Sequence, residues 1–207
     1  RADSRPFPAV DGYRLALRRE AIVSDLNTKF IVPGKTLSEI SKLLREEDEE
    51  AYLVVSQKHI VFRISGYYVV SRLLEGDFLD YNAAIPKISK TTVKINTRSL
   101  TDSVERTSLL ISDRLRSPIR LVVTENKVQL SCSTTMGKAH DEVDCEVSGE
   151  AVSMGFNNKY LLDALKASDC DMVKLEINGA LSPMRMIPME GDSFLFLVLP
   201  VRVKNDD

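Results

Sequence analysis

The chain has 207 residues, 43% of them hydrophobic and 28% charged, with a formal net charge of −2 and a sequence pI near 5.8. That length holds two ordinary domains, each with its own core. The composition is that of a globular protein. No apolar run approaches the roughly 18 residues of a spanning helix, and the polar start Arg1-Ala2-Asp3-Ser4-Arg5 lacks a signal-peptide core, so the chain reads as soluble and cytoplasmic, with no membrane partner.

The slightly acidic balance argues against a protein that holds nucleic acid by bulk electrostatics. The three cysteines, Cys132, Cys145 and Cys170, are odd in number and irregularly spaced, which argues against a disulfide framework. Cys132 and Cys145 fall at inward positions of strand-like runs, where a thiol acts as a small hydrophobe. Neither His59 nor His140 has zinc-site spacing to a cysteine. No metal or other cofactor is expected.

Short runs of alternating apolar and polar residues, broken by turn residues, predict antiparallel strands. After the turn signal Asp11-Gly12, Tyr13, Leu15 and Leu17 share a face opposite Arg14 and Arg18. A strand at about 27–32 leads to Pro33-Gly34-Lys35 and a helix. Thr36 and Glu39 have capping-box spacing there, and Leu37, Ile40 and Leu44 form an apolar stripe. Strands at 51–56, 59–64, 67–73 and 92–97 precede a second helix over about 98–112, with Leu100, Val104 and Ile111 on one side. A strand at 118–124 turns at Glu125-Asn126 into the alternating Val128, Leu130 and Cys132. Strands at 142–147 and 151–156 follow. A third helix begins after Asn157-Asn158-Lys159, with Leu161, Ala164 and Leu165 inward. Val173, Leu175 and Ile177 alternate up to an Asn178-Gly179 hairpin turn, and strands at 183–188 and 193–201 complete the chain.

Two stretches repeat one architecture: a strand, a short turn ending in lysine, then a helix opening on an apolar residue. Lys35 corresponds to Lys159, Leu37 to Leu161 and Ile40 to Ala164. Glu75 to Lys90 lacks periodicity, which places a domain boundary near residue 88. The domains are then 1–88 and 89–207. The first has one helix and fewer strands than the second, so it reads as the truncated member of a homologous pair.

Catalytic signatures are absent. There is no G-x-S-x-G elbow and no paired cysteine and histidine. The nine glycines are scattered and form no phosphate-cradling loop. His140-Asp141 reads as a solvated loop pair, and His59 as a surface residue. The acidic run Glu46 to Glu50 has no glycine turn and reads as a solvated helix end rather than a metal site. Two features suggest binding. The Asp11 to Leu15 hairpin and the run Phe194 to Val203 each read as an edge strand or as one wall of a docking groove. Pro200 keeps the latter run from being an uninterrupted central strand.

Five motifs in register carry a resemblance. Asp-Gly-Tyr-Arg-Leu-Ala at 11–16, Phe-Ile-Val-Pro-Gly-Lys at 30–35, Glu-Gly-Asp-Phe-Leu-Asp-Tyr at 75–81, Gly-Phe-Asn-x-x-Tyr at 155–160 and Leu-Pro-Val-Arg-Val at 199–203 resemble segments of bacterial DNA sliding clamps, the β subunits of DNA polymerase III. The resemblance covers most of the second clamp domain and all of the third. It implies an α+β fold of tandem clamp-type domains, with antiparallel sheets outside and paired helices lining a ring interior. It also implies a non-catalytic processivity factor, a homodimer as full-length protein. Its partners would be duplex DNA, held topologically and without sequence preference, the DNA polymerase III catalytic subunit, clamp-loader subunits, and other DNA polymerases and repair proteins.

By matching position, the resemblance implies a partner-peptide pocket. It would be built from Val10, Gly12, Tyr13, Arg14, Leu15, Leu79, Ala84, Asn157, Tyr160, Leu181, Pro183, Leu197, Val198, Leu199, Pro200, Val201 and Arg202. Lys35, Lys42 and Lys159 are candidates to face DNA; as residues they read equally well as solvated lysines. Leu110 and Ile111 match dimer-contact positions. The chain departs from the common pattern at Tyr13, where histidine is frequent, at Leu79, where proline is, and at Ala83, where a basic residue is often found. Its ending also carries leucine and valine in place of methionine, which makes a stiffer groove, and Lys204 to Asp207 extend past the usual terminus. The alternative is a non-ring peptide-binding adaptor derived from a clamp. With no first domain in these residues, the expectation is that they bind peptides but do not encircle DNA unaided.

Overall fold

The computed structural model describes residues 3–23, 28–45, 50–64, 66–112 and 117–203. Strands β1 (Asp3–Val10) and β2 (Arg14–Ile22) form a hairpin, and helix α1 (Gly34–Ser41) precedes β3 (Tyr52–Val55), β4 (His59–Ile64) and β5 (Tyr67–Arg72). A 3-10 turn at Tyr81–Ala84 leads to β6 (Thr91–Asn96), α2 (Thr97–Thr107) and a second 3-10 turn at Ser108–Leu110. Then come β7 (Ile119–Val123), β8 (Lys127–Thr134), β9 (Gly137–Asp144), β10 (Glu146–Gly149) and β11 (Val152–Phe156). Helix α3 (Asn158–Ser168) and strands β12 (Met172–Ile177), β13 (Met184–Pro188) and β14 (Phe194–Val198) finish the order. Every strand pairing described is antiparallel, so the fold is α+β.

Two compact units result, one of Arg1–Ile22 with Tyr81–Asp207 and the other of Val23–Asp80. In the larger unit, a seven-stranded sheet runs β1-β2-β14-β13-β12-β6-β10 and a four-stranded sheet runs β11-β7-β8-β9. Their inner residues, among them Val93, Ile95, Leu121, Leu130, Phe156 and Leu175, form one core with α2 and α3. Each such aliphatic side chain contributes on the order of 2 kcal/mol by leaving water. Both helices start on an asparagine cap: the Asn96 side chain accepts from the Ser99 amide at 2.9 Å, and Asn157 from the Lys159 amide at 2.9 Å. Leu161, Ala164, Leu165 and Ser168 recur at helical spacing and are buried. The helix ends where Asp169 turns left-handed at φ 49°.

In the smaller unit, α1 covers the three-stranded sheet β3-β4-β5. Ile40, Ile60, Phe62, Ile64 and Leu73 form its core. Only Ile40 of the predicted α1 stripe is buried; Leu37 and Leu44 are about half exposed. The predicted Thr36–Glu39 capping box does not form. Pro33 caps the helix, and the Thr36 hydroxyl is bonded to Ser71 Oγ at 2.7 Å.

Several predicted elements differ from those found. The expected strand at 27–32 reduces, among its described residues, to one bridge between Ile31 and Leu74. Strand β1 has no counterpart among the predicted strands, because Pro6 and Pro8 remove ladder donors; an edge strand tolerates this. The expected loop at His140-Asp141 lies within β9. The predicted 142–147 strand breaks at Cys145, where the chain passes from one sheet to the other, and this leaves Cys145 half buried between strands. Asn178-Gly179 does not close a two-residue hairpin. It opens a link over 178–183, which Pro183 ends with no amide to add to the ladder. The acidic run lies outside the described residues, apart from Glu50.

Candidate functional site

The β1–β2 turn is organised by Asp11. Its Oδ1 accepts from the Tyr13 amide at 2.8 Å and the Arg14 amide at 3.1 Å, an Asx turn that presents Tyr13 outward, 59% exposed. Burial pushes the Asp11 carboxyl up, but the two amides and the Arg14 guanidinium outweigh it and hold the group below its ordinary value. Arg14 Nε donates to Asp11 Oδ2 at 2.9 Å, and Arg14 Nη1 donates to Asp163 Oδ2 of α3 at 2.5 Å. The guanidinium lies 4.5 Å from the Tyr160 ring centroid. Tyr13 stacks on that ring, with centroids 6.0 Å apart and planes inclined by 24°.

Past the turn, β2 joins β14, so that Leu15 faces Leu197 on one side of the ladder and Arg14 faces Val198 on the other. Leu15, Leu17 and Leu197 form an apolar floor with Leu195, Tyr81 and Ile85. Phe194, Phe196 and Val198, on the other face of β14, enter the main core. The strand is therefore covered on both faces, which accounts for its uninterrupted apolar sequence. Beyond it the chain stays tied down. The Leu199 amide donates to the Tyr13 carbonyl at 3.0 Å, and the Val201 amide to the Gly155 carbonyl at 2.8 Å. Leu199 and Val201 remain 38% and 37% exposed.

Tyr13, Arg14, Leu15, Asn157, Tyr160 and the run Leu197 to Val201 are thus brought together from three segments. Leu15 and Leu197 are buried on one face of the β2–β14 ladder and Val198 on the other. Val10, opposite Leu15 in the hairpin register, is exposed, as is Gly12. Ala84 ends the 3-10 turn whose Tyr81 packs on the floor. Half-buried Pro183 precedes Met184, which pairs with Val198. Leu181 is 82% exposed in the 178–183 link, and Arg202 is exposed past the Val201 bridge. Leu79 belongs to the smaller unit and is exposed.

The lysines are exposed on or beside helices. Lys35 lies in α1, Lys42 caps its C-terminus and bonds Glu39 at 2.8 Å, and Lys159 lies in the first turn of α3. Leu110 and Ile111 are half buried where the second 3-10 turn ends, and Ile111 packs against the main core. A surface depression of about 490 Å³ lies elsewhere, at the start of α2 and the end of α3, and shares no residue with the predicted trough. Among the described residues, no group of three or more His, Cys, Asp or Glu is arranged to hold a metal ion, and no helix is long and apolar enough to cross a membrane. Asp11 and Asp163 were not among the predicted site residues. The usable signal for Asp163 is its spacing three residues after Tyr160 on one helix, which puts both on one face.

The family model for the C-terminal domain of the DNA polymerase III beta subunit matches residues 82–202, and that for its central domain matches residues 2–80. The beta sliding clamp of Staphylococcus epidermidis is 34% identical over 197 residues, covering 94% of this chain and 52% of its own length. That of Staphylococcus aureus is 33% identical over 198 residues, with the same coverage of 94% and 52%. The crystal structure of the DNA polymerase sliding clamp from Bacillus subtilis superposes with a TM-score of 0.89 at 29% identity, over 96% of this chain and 54% of that one. A sliding clamp from Bartonella birtlesii bound to griselimycin gives 0.86 at 27% identity, over 97% of this chain and 55% of that one. The chain spans about half the length of the curated relatives it matches.

Proposed function

This chain belongs to the DNA polymerase III β-subunit family, and from that premise we propose that it is the partner-docking portion of a DNA sliding clamp. In this reading it is a non-catalytic processivity subunit that receives short linear peptides from polymerases, clamp-loader subunits and repair proteins. The observation that carries it is exposed Tyr13 stacked on half-buried Tyr160, with partly exposed Leu199 tied to Tyr13 and the buried leucines Leu15 and Leu197 next to them in the β2–β14 ladder. An apolar trough with a few fixed polar groups is what an extended peptide with hydrophobic anchors requires. Val10, Gly12, Ala84, Asn157, Leu181, Pro183 and Pro200 to Arg202 complete the proposed pocket. The relative that binds griselimycin supports the idea that clamps of this family take ligands.

The full-length protein would close as a homodimeric ring around duplex DNA in the cytoplasm, with Leu110 and Ile111 in the subunit contact and Lys35, Lys42 and Lys159 toward the DNA. Topological retention needs little phosphate binding, which reconciles the role with a net charge of −2. A fluorescent peptide of the Gln-x-x-Leu-Phe type tests the pocket by anisotropy. Leu199→Ala and Tyr160→Ala should each weaken binding, and unchanged affinity in both variants removes the assignment.

A further inference from the structure

We propose that Asp163 is a positioning residue for the docking trough: it fixes Arg14 over the Tyr160 ring and so holds the trough wall in its binding conformation. This rests on the docking function proposed above. Arg14 and Asp163 are 149 residues apart in sequence, one on the β2 hairpin and the other on α3. Tyr160 and Asp163 lie one helical turn apart on the same face, so the carboxylate holds the guanidinium directly above the ring. Asp11 holds the same guanidinium from the turn side through Nε. The planar fork is clamped at two edges while its face covers the tyrosine.

The pair is too open to serve mainly as a stability element, since the Arg14 and Asp163 side chains are 36% and 63% exposed. The hairpin has stronger attachments of its own: the Leu199–Tyr13 backbone bond at 3.0 Å and the buried Leu15–Leu197 pair. What the carboxylate removes is rotamer freedom in a long side chain at the surface where a peptide must sit. Ordering that side chain at the moment of binding would otherwise lower affinity. Of the nearby cations on α3, Lys166 is engaged by Glu105 at 2.7 Å, and Lys159 lies in the first turn. Neither changes in the variants below.

The test uses the 207-residue chain as wild type, Asp163→Asn, Asp163→Glu and Arg14→Ala. Three readouts apply: anisotropy with a fluorescein-labelled Gln-x-x-Leu-Phe-type peptide, the thermal midpoint, and the Arg14 Nε–H signal by NMR in the free protein. Asp163→Asn should raise Kd roughly two- to tenfold, leave the midpoint unchanged and broaden or lose the Arg14 signal. Asp163→Glu should recover most of the affinity. Wild-type affinity in Asp163→Asn overturns the proposal. So does a fall in midpoint that tracks the loss of affinity without rescue by glutamate, because that pattern marks a structural role. A wild-type chain that binds no such peptide instead overturns the docking function itself, and this proposal with it.

Discussion

Leu15 and Leu197 face each other across the β2–β14 ladder, 6% and 2% exposed, and this pair joins the N-terminal hairpin to the C-terminal strand. Truncating Leu197 to alanine leaves a cavity that Leu17, Tyr81 and Ile85 line on the same face. The expected loss is about 2–4 kcal/mol of unfolding free energy, measured by urea denaturation. Hydrogen exchange should show the Arg14 to Arg18 amides opening before the α3 amides. Uniform acceleration throughout the larger unit would contradict the assigned role of the pair.

Gly155 is demanded by proximity. A Cβ built there would lie 2.6 Å from the Val201 carbonyl oxygen and closer still to a Val203 methyl. The same backbone stretch receives the Val201 amide bond. Gly155→Ala must therefore push the C-terminal segment off β11, at a cost of about 1–3 kcal/mol. The amides of Val201 and Leu199 should exchange faster as that segment detaches. Wild-type exchange at both positions would mean the segment adjusts without leaving.

These contacts show which parts of the fold local sequence can carry. Helix α3 was legible because its cap, Asn157, and its buried residues, Leu161, Ala164 and Leu165, lie within one short window. The α1 capping box failed because the helix starts at Gly34 after Pro33, which puts Thr36 inside the first turn, where its hydroxyl bonds Ser71, distant in sequence. His140-Asp141 reads as a loop until Arg106 is placed beside Asp141, and alternation across 142–147 cannot reveal that the chain changes sheets at Cys145. At the candidate site, Asp11-Gly12, Tyr160 and the C-terminal run were legible as local motifs. The Arg14–Asp163 link was not, since neither residue is unusual in its own neighbourhood.

The Arg106–Asp141 pair gives stability a dependence on pH. Arg106 Nη2 lies 2.7 Å from Asp141 Oδ2, and the pair ties α2 to β9. Burial pushes the Asp141 carboxyl up, but bonds from Arg106 and the Glu142 amide prevail and hold it below its ordinary value of 3.8. A depressed carboxyl binds protons less readily folded than unfolded. Its contribution is therefore complete above the ordinary value and is lost as pH falls through the folded value. With Arg106 59% exposed and Asp141 26% exposed, that contribution should be below about 1 kcal/mol. Asp141→Asn should therefore lower the urea midpoint slightly at neutral pH, and the gap from wild type should close as the buffer is taken down through the carboxylate range. A gap that persists unchanged in acid would assign the loss to packing of the amide rather than to the charge on Asp141.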